Sequence, residues 1–512
     1  MRAAMLLAVV LGGVVSAPGQ SGEAGSNAPV RWLTLQQCIE MALNHNLDLQ
    51  IQHVSTDIAQ YDLSGAYGAY DPVLSFQGGS GFVSQPGDFS PHKFNLNEPY
   101  ELQTEKGGAS LGGQLPFGLS YDVGARAGYK EARTDFRLDP AHASDFPGGI
   151  RDTNNYFADT RIALRQHLLK DFWIDSDRAT LLIRGKDLQI AHQALRLGVM
   201  KTVLAVETGY YDLIAGRGRI AVQRKALELR RQFLEETRRR VAVGDLPPLD
   251  LDQAQTQLQN TLTALAAAKE RYAAQENAFK AMLTDNFMAW VDTELAPADT
   301  LLPIPPSIDR SESFDSAMKN RPDLAEARLA VEKRAVAVRF GFNQLFPALD
   351  LVGRYGSLAD EPDFSSTVNN ALNFRDPEYY YGVVMSFPLS NLKARSSYHA
   401  SLADRRIAEL QLRKARQAVL VQVADWVNRV HSRFTQVDST RKASGYAEAA
   451  LAAEEKKLAN GLSTSFVVLQ LQQTLIEART AQIQALADYY KALAQLAFAD
   501  GSILKKRHLI VR

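Results

Sequence analysis

Asp250 and Asp252 lie just beyond the breaker Gly244-Asp245-Leu246-Pro247-Pro248, and they are the pair whose type and spacing could do the most chemistry. Neighbouring carboxylates draw cations, most strongly where low-dielectric walls focus their field. A plainer reading stands beside this one. Asp250 caps the helix that follows the breaker, with Gln253 completing a capping box. Other chemistry lacks a motif. His45, His53, His192 and His431 have no ligand-spaced partner, so neither a metal nor a cofactor is expected. Gly107-Gly108 and Gly112-Gly113 lie in alternating sequence with no helix after them, which excludes a phosphate loop. The single cysteine, Cys38, rules out an internal disulfide and reads as a small apolar residue of the first helix. No catalytic residue stands out, and no enzyme is expected.

The breaker that carries the acidic pair is the tip of a long helical hairpin. Before it, apolar residues fall at every seventh position: Val206, Leu213, Ile220, Leu227, Leu234, Val241. After it the sevens resume with Leu251, Leu258, Leu265, Tyr272 and Phe279. The pattern returns at a constant offset in the second half as Val423, Val430, Val437, Ser444, Leu451 and Leu458, then Gly461, then Val468, Leu475, Gln482, Tyr489 and Leu496. A spacing of seven keeps one stripe against a partner helix in a left-handed supercoil. Residues 175–243 contain no proline, enough for a helix of about 100 Å at 1.5 Å per residue.

Composition bounds the partners. The 512 residues carry a formal net charge of zero, so nucleic-acid binding lacks its electrostatic footprint. Arg2, the apolar run Met5 to Val15 and the small residues Val15-Ser16-Ala17 read as an export signal. No later run is apolar enough for a transmembrane helix, so a mature chain that crosses a membrane must do so as a β-barrel.

Between signal and hairpin the period changes. Thr34 is an N-cap candidate for a helix that runs through Asn46-Leu47-Asp48-Leu49 and stops at Pro72. The same segment returns in the second half, where Asp323-Leu324 takes the place of Asp48-Leu49 and Pro347 the place of Pro72. After each proline the residues alternate. Leu349, Leu351, Gly353 and Tyr355 oppose Asp350, Val352 and Arg354, and Tyr379, Tyr381, Val383 and Met385 oppose Tyr380, Gly382 and Val384. In the first half Tyr156, Ala158, Thr160, Ile162 and Leu164 oppose Phe157, Asp159, Arg161 and Arg165. Such strands suit either a barrel wall between lipid and water or a half-buried soluble sheet.

An insert at 78–155 interrupts the first set. Within it, Tyr121, Val123, Ala125, Ala127 and Tyr129 alternate with Asp122, Gly124, Arg126, Gly128 and Lys130, after a tight turn at Leu115-Pro116-Phe117-Gly118. Two readings stand. In one, the insert is an outer loop, an inner tight turn and a second outer loop at Asp139 to Asn155; in the other, it is a surface hairpin above the membrane.

An export signal, proline-stopped helices entering alternating strands, a glycine-tipped hairpin and duplication of the set together resemble the TolC-like outer-membrane efflux protein family. The residues that carry the resemblance are Leu33-Thr34-Leu35 through Asp48-Leu49, Arg321-Pro322-Asp323-Leu324, and Val243-Gly244 with Asp250 and Gln253-Ala254-Gln255. The resemblance implies an α+β membrane protein, with duplicated coiled-coil hairpins forming an α-barrel tunnel and strands contributing to a trimeric β-barrel. Four strands per chain are expected, twelve in all, with more if the insert joins them. It implies a homotrimer in outer-membrane lipid that extends into the periplasm as a passive exit duct for efflux or type I secretion. A periplasmic adaptor would dock at the tips, Gly244, Leu246, Gly461 and Leu462, with an inner-membrane pump beyond. Three copies of Asp250 and Asp252 would then ring the entrance, since Val467 takes the acidic place in the second tip. Pro72, Pro347 and Pro388 mark the helix–strand junctions, and His167-Leu168 replaces the proline expected in the first half. The alternatives are a periplasmic adaptor or an extracytoplasmic structural coiled coil. The chain divides into the signal and N-terminal lead (1–24), a first repeat (25–284), a Pro-rich linker (285–310), a second repeat (311–500) and a tail (501–512). The tail's Lys505-Lys506-Arg507-His508 reads as a solvated basic end.

Overall fold

The computed structural model describes residues 30–85, 88–90, 95–97, 100–135 and 150–509. The export signal lies outside these residues, as does 139–149 of the expected second loop. Strand β1 (Val30–Leu33) leads into α1 (Leu35–His45), whose N-cap Thr34 and Gln37 form a capping box. The helix expected to run unbroken to Pro72 is two helices. Asn46 ends α1 in an extended conformation, and its side chain caps α2 (Leu47–Tyr67) by accepting from the Leu49 N–H. The sequence periodicity continues across Asn46, which is why the break is hard to read. The second repeat is built alike: Asp309 caps α5 (Arg310–Asn320), and Arg321-Pro322 starts α6 (Pro322–Asn343). The two caps, Thr34 and Asp309, are equivalent positions of the two repeats, in step with Asp48 and Asp323.

From α2 the chain enters β2 (Val73–Gln85). A small hairpin follows, β3 (Asp88–Ser90) with β4 (Asn95–Asn97), and then β5 (Tyr100–Gln114), β6 (Leu119–Asp135) and β7 (Ile150–His167). The second repeat contributes β9 (Ala348–Glu361) and β10 (Pro377–Ser386), separated by the helix α7 (Phe364–Leu372). Strand β8 (Glu294–Pro297), from the linker region, pairs in parallel with β1 instead. The remaining six form one antiparallel sheet in the order β10-β9-β7-β6-β5-β2. Among the described residues one sheet therefore holds six long strands, the four expected and two more from the insert. β2 runs past Gly78 to Gln85, and β7 already begins at Ile150, so both ends of the supposed loops are strand.

From β7 the chain enters α3 (Ser176–Ala242), turns, and returns as α4 (Pro248–Leu283); from β10 it enters α8 (Leu392–Ala459) and returns as α9 (Ser465–Ala499). The 67 and 68 residues of α3 and α8 span about 100 Å each. In the tip-ward half the helices lie side by side in the order α4-α3-α9-α8; nearer the sheet the order is α2-α3-α6-α8. The heptad stripe is the core. Val206, Leu213, Phe279, Val423, Val430, Tyr489 and Leu496 are buried, and Ser444, the departure from the pattern, is buried with them. Each such apolar side chain contributes about 1.5–3 kcal/mol on burial.

Between the two halves, the Pro-rich linker is strapped down by tyrosines. Tyr210 Oη donates to Asp299 at 2.8 Å, Tyr489 Oη to the Ile304 carbonyl at 2.6 Å, and Tyr490 Oη to the Leu302 carbonyl at 2.7 Å. Cys38 is fully buried beside this strap, and burial pushes its thiol up to about 12. The tail is a solvated end only in part, because Lys505, Lys506 and His508 are exposed but Arg507 is not. In α10 (Ile503–Lys506) Ile503 and Leu504 are buried, and Arg507 Nε pairs at 2.6 Å with Glu207, itself only 3% exposed. The basic run misleads because its cation is satisfied by an acid 300 residues away.

Candidate functional site

Each hairpin turns on a glycine in the left-handed region, Gly244 at φ +84° and Gly461 at φ +76°. The closing bonds match: Asp245 N–H to the Arg240 carbonyl at 2.9 Å, and Leu462 N–H to the Lys457 carbonyl at 2.8 Å. This is the 6→1 bond that satisfies the last carbonyls of a helix. The turns leave apolar side chains in solvent, Val243 and Leu249 at the first tip and Leu462 and Phe466 at the second, while Leu246 is half-buried. Arg238, Arg239 and Arg240 pair locally with Glu235, Glu236 and Asp245, as a solvated face would.

Asp250 does not cap α4. The helix begins at Pro248 with Pro247 as N-cap and no side-chain cap bond, so Asp250 falls inside the first turn. Proline at the first helical position needs no cap for its own nitrogen, which moves the start two residues ahead of the aspartate. Asp250 keeps a favourable place near the positive end of the helix dipole. It is half-buried and Asp252 is exposed, so both carboxylates are within reach of solvent.

The junctions sit at one level. Pro72 immediately precedes β2 and Pro347 immediately precedes β9. Pro388 lies between β10 and α8, where Asn391, at φ +43°, sends Nδ2 to the Leu345 carbonyl at 3.1 Å. In the first repeat, which lacks that proline, Asp171 takes φ +64° and its N–H donates to Asn343 Oδ1 at 2.6 Å. Sequence reasoning missed Asp171 and Asn343; the available signal was an aspartate, a residue that tolerates the left-handed region, beside an aromatic pair.

The sheet has two unlike faces. On one, Arg161 reaches Asp122 at 2.9 Å, Arg165 reaches Asp350 at 2.6 Å, and Arg126 pairs with Asp159 and Lys130 with Asp360. His167 Nδ1 also meets Asp350, at 2.6 Å. On the other face a row of exposed apolar residues crosses all six strands in register, Leu74, Leu111, Val123, Ile162, Tyr355 and Tyr379. Nearer the outer end Ala127, Ala158 and Ala359 leave room for α7, which lies on this face with Thr160 Oγ1 bonded to the Ala371 carbonyl at 3.1 Å. Tyr129, Tyr156 and Phe364 cluster there. The sequence showed the strands but not α7, whose cap Asp363 accepts from the Ser366 N–H. Among the described residues no group of acids, histidines or cysteine is placed to hold a metal, and no helix is long and apolar enough to cross a membrane.

The chain thus joins a sheet with one charged and one apolar face to helices about 100 Å long. Residues 314–502 match the model of the outer membrane efflux protein family. The fold is shared with solved channels of low identity. The outer membrane protein VceC of Vibrio cholerae is 17% identical, with a TM-score of 0.64 over 91% of this chain and 96% of that one. The outer-membrane channel OprN is 15% identical, with a TM-score of 0.66 over 96% and 99%. The CmeC outer membrane channel of Campylobacter jejuni is 12% identical, with a TM-score of 0.64 over 95% and 91%. The resemblance to the TolC-like outer-membrane efflux family agrees with the family model over 314–502 and with the fold shared with these channels.

Proposed function

We propose that the chain is one third of a passive exit duct, a homotrimer that closes a β-barrel in the outer membrane and a helical tunnel across the periplasm, serving tripartite efflux or type I secretion. One observation carries this reading: a single copy has open edges at every level. In the sheet, β2 and β10 each have one unpaired side. In the helical layer, the outer flank of α2 exposes Leu47, Ile51, Val54, Ile58 and Tyr61 at alternating steps of four and three, a heptad stripe with no helix against it. On the opposite flank α8 exposes Ile407, Leu410 and Val421. Unpaired strand edges are costly in lipid, and closure with further copies satisfies them.

Apolar tips fit docking of a periplasmic adaptor at Gly244, Leu246, Gly461 and Leu462, with an inner-membrane pump supplying the energy. Asp250 and Asp252, unpaired by the fold, fit a cation-attracting ring at the entrance. The experiment is fractionation followed by electrophoresis with and without heating. The duct gives a heat-modifiable oligomer in the outer-membrane fraction, whereas a water-soluble monomer would end the proposal.

A further inference from the structure

We infer that the β5–β6 hairpin crosses the bilayer beside the other strands, so that three copies close an 18-stranded barrel instead of a twelve-stranded one. This rests on the trimeric outer-membrane reading above and extends it to the size of the outlet.

The hairpin shares the height of its neighbours. Its tight turn at 115–118 lies at the helix end of the sheet. Gln114 Nε2 is 3.4 Å from Asp175, the N-cap of α3, and Gly118 sits beneath the Arg178 guanidinium. From that level β6 pairs with β7 without a gap, from Leu119 opposite Gln166 to Asp135 opposite Ile150. β5 pairs with the whole of β2, from Gly112 opposite Val73 to Tyr100 opposite Gln85. On the far side, β9 starts against the same end of β7, Asp350 opposite His167. A hairpin standing above the membrane would begin its pairing beyond the ends of β9 and β10. This one begins at their base.

Length and chemistry agree. A tilted strand crosses hydrocarbon in about 9–11 residues, and β5 and β6 have 15 and 17. Leu111 and Val123 continue the apolar row between Leu74 and Ile162, all four exposed. On the opposite face Asp122 and Arg126 of β6 pair with Arg161 and Asp159 of β7, as a wet lumen allows. The edges also match in direction. β2 runs away from the helices and β10 runs back toward them, so β10 of one copy meets β2 of the next antiparallel, as in every other pair of the sheet. Barrel diameter grows roughly in proportion to strand number, so the outlet is roughly one and a half times as wide as a twelve-stranded one, in the range where an open aqueous channel is normal. The surface that Leu111 and Val123 present is therefore a site for acyl chains.

The test uses the full-length trimer with Cys38→Ala, reconstituted in liposomes whose acyl chains carry a nitroxide. Single cysteines labelled with bimane are compared at Val123→Cys, Leu111→Cys, Val383→Cys on β10, and the lumen-side Ser110→Cys. Bimane at Val123 and Leu111 should be quenched as strongly as at Val383, with Ser110 spared. Quenching at Val383 but at neither hairpin position would overturn the wide barrel while leaving the membrane channel standing. No quenching at any position would remove the outer-membrane reading and this inference together. The two hairpin sites lie on separate strands, so one misfolded variant does not decide the outcome.

Discussion

Gly244 and Gly461, equivalent positions of the two repeats, hold the same left-handed turn at the ends of two hairpins, and a Cβ built at either would meet no atom within 4 Å. The strain of a side chain there is purely backbone strain. Replacing either with alanine is expected to cost about 1 kcal/mol. Because the turn is local, the effect should appear as faster proteolysis at the tip, with the oligomer intact. Loss of the oligomer would mean that the tips do more than reverse the chain.

Arg507 and Glu207 join the C-terminal end to α3. Arg507→Ala leaves a carboxylate with 4% side-chain exposure unpaired. Breaking such a pair from one side costs about 3–5 kcal/mol. A clear fall in the melting temperature of the purified protein is expected, and an unchanged one would restore the tail to a solvated end.

Arg230 presents the opposite case. It is 2% exposed between α3 and α9, and among the described residues its side chain makes one hydrogen bond, from Nη2 to the Leu469 carbonyl at 3.3 Å. Nε and Nη1 have no partner among the described residues, and burial lowers the guanidinium's proton affinity. A buried unsatisfied polar group costs about 1–3 kcal/mol. Arg230→Met, which keeps the stem and removes the charge, should therefore raise stability by an amount of that order in denaturant titration. A loss of stability would show that the guanidinium has a partner in the assembled protein.

Asp250 and Asp252 remain free of capping duty, which makes their electrostatic role testable. Replacing both with alanine should shift the reversal potential of single channels in planar bilayers toward weaker cation preference. An unchanged potential would leave them as helix-end charges only.

Much of this was legible because the signals are periodic. The sevens of Val206 to Leu227 and Val423 to Val437 locate a buried stripe, and the bounds of α3 follow from Asp175 and the glycine tip. Part of what escaped depends on residues far away in sequence, and part on a local start signal that outweighed another. Alternation through Tyr121 to Tyr129 is the same whether the hairpin crosses lipid or stands above it, and its register against β7 and β2 is set by residues outside the hairpin. Arg507 looks solvated until Glu207 is placed beside it. Asp250 looks like a cap because its spacing to Gln253 is right, yet Pro248 starts the helix earlier.

The most direct test of closure by identical subunits is the native mass of the complex released from the outer membrane in detergent. A homotrimer gives a single species of three times the mass of its own denatured subunit. A folded species of one subunit mass, with its strand edges already joined, would contradict it.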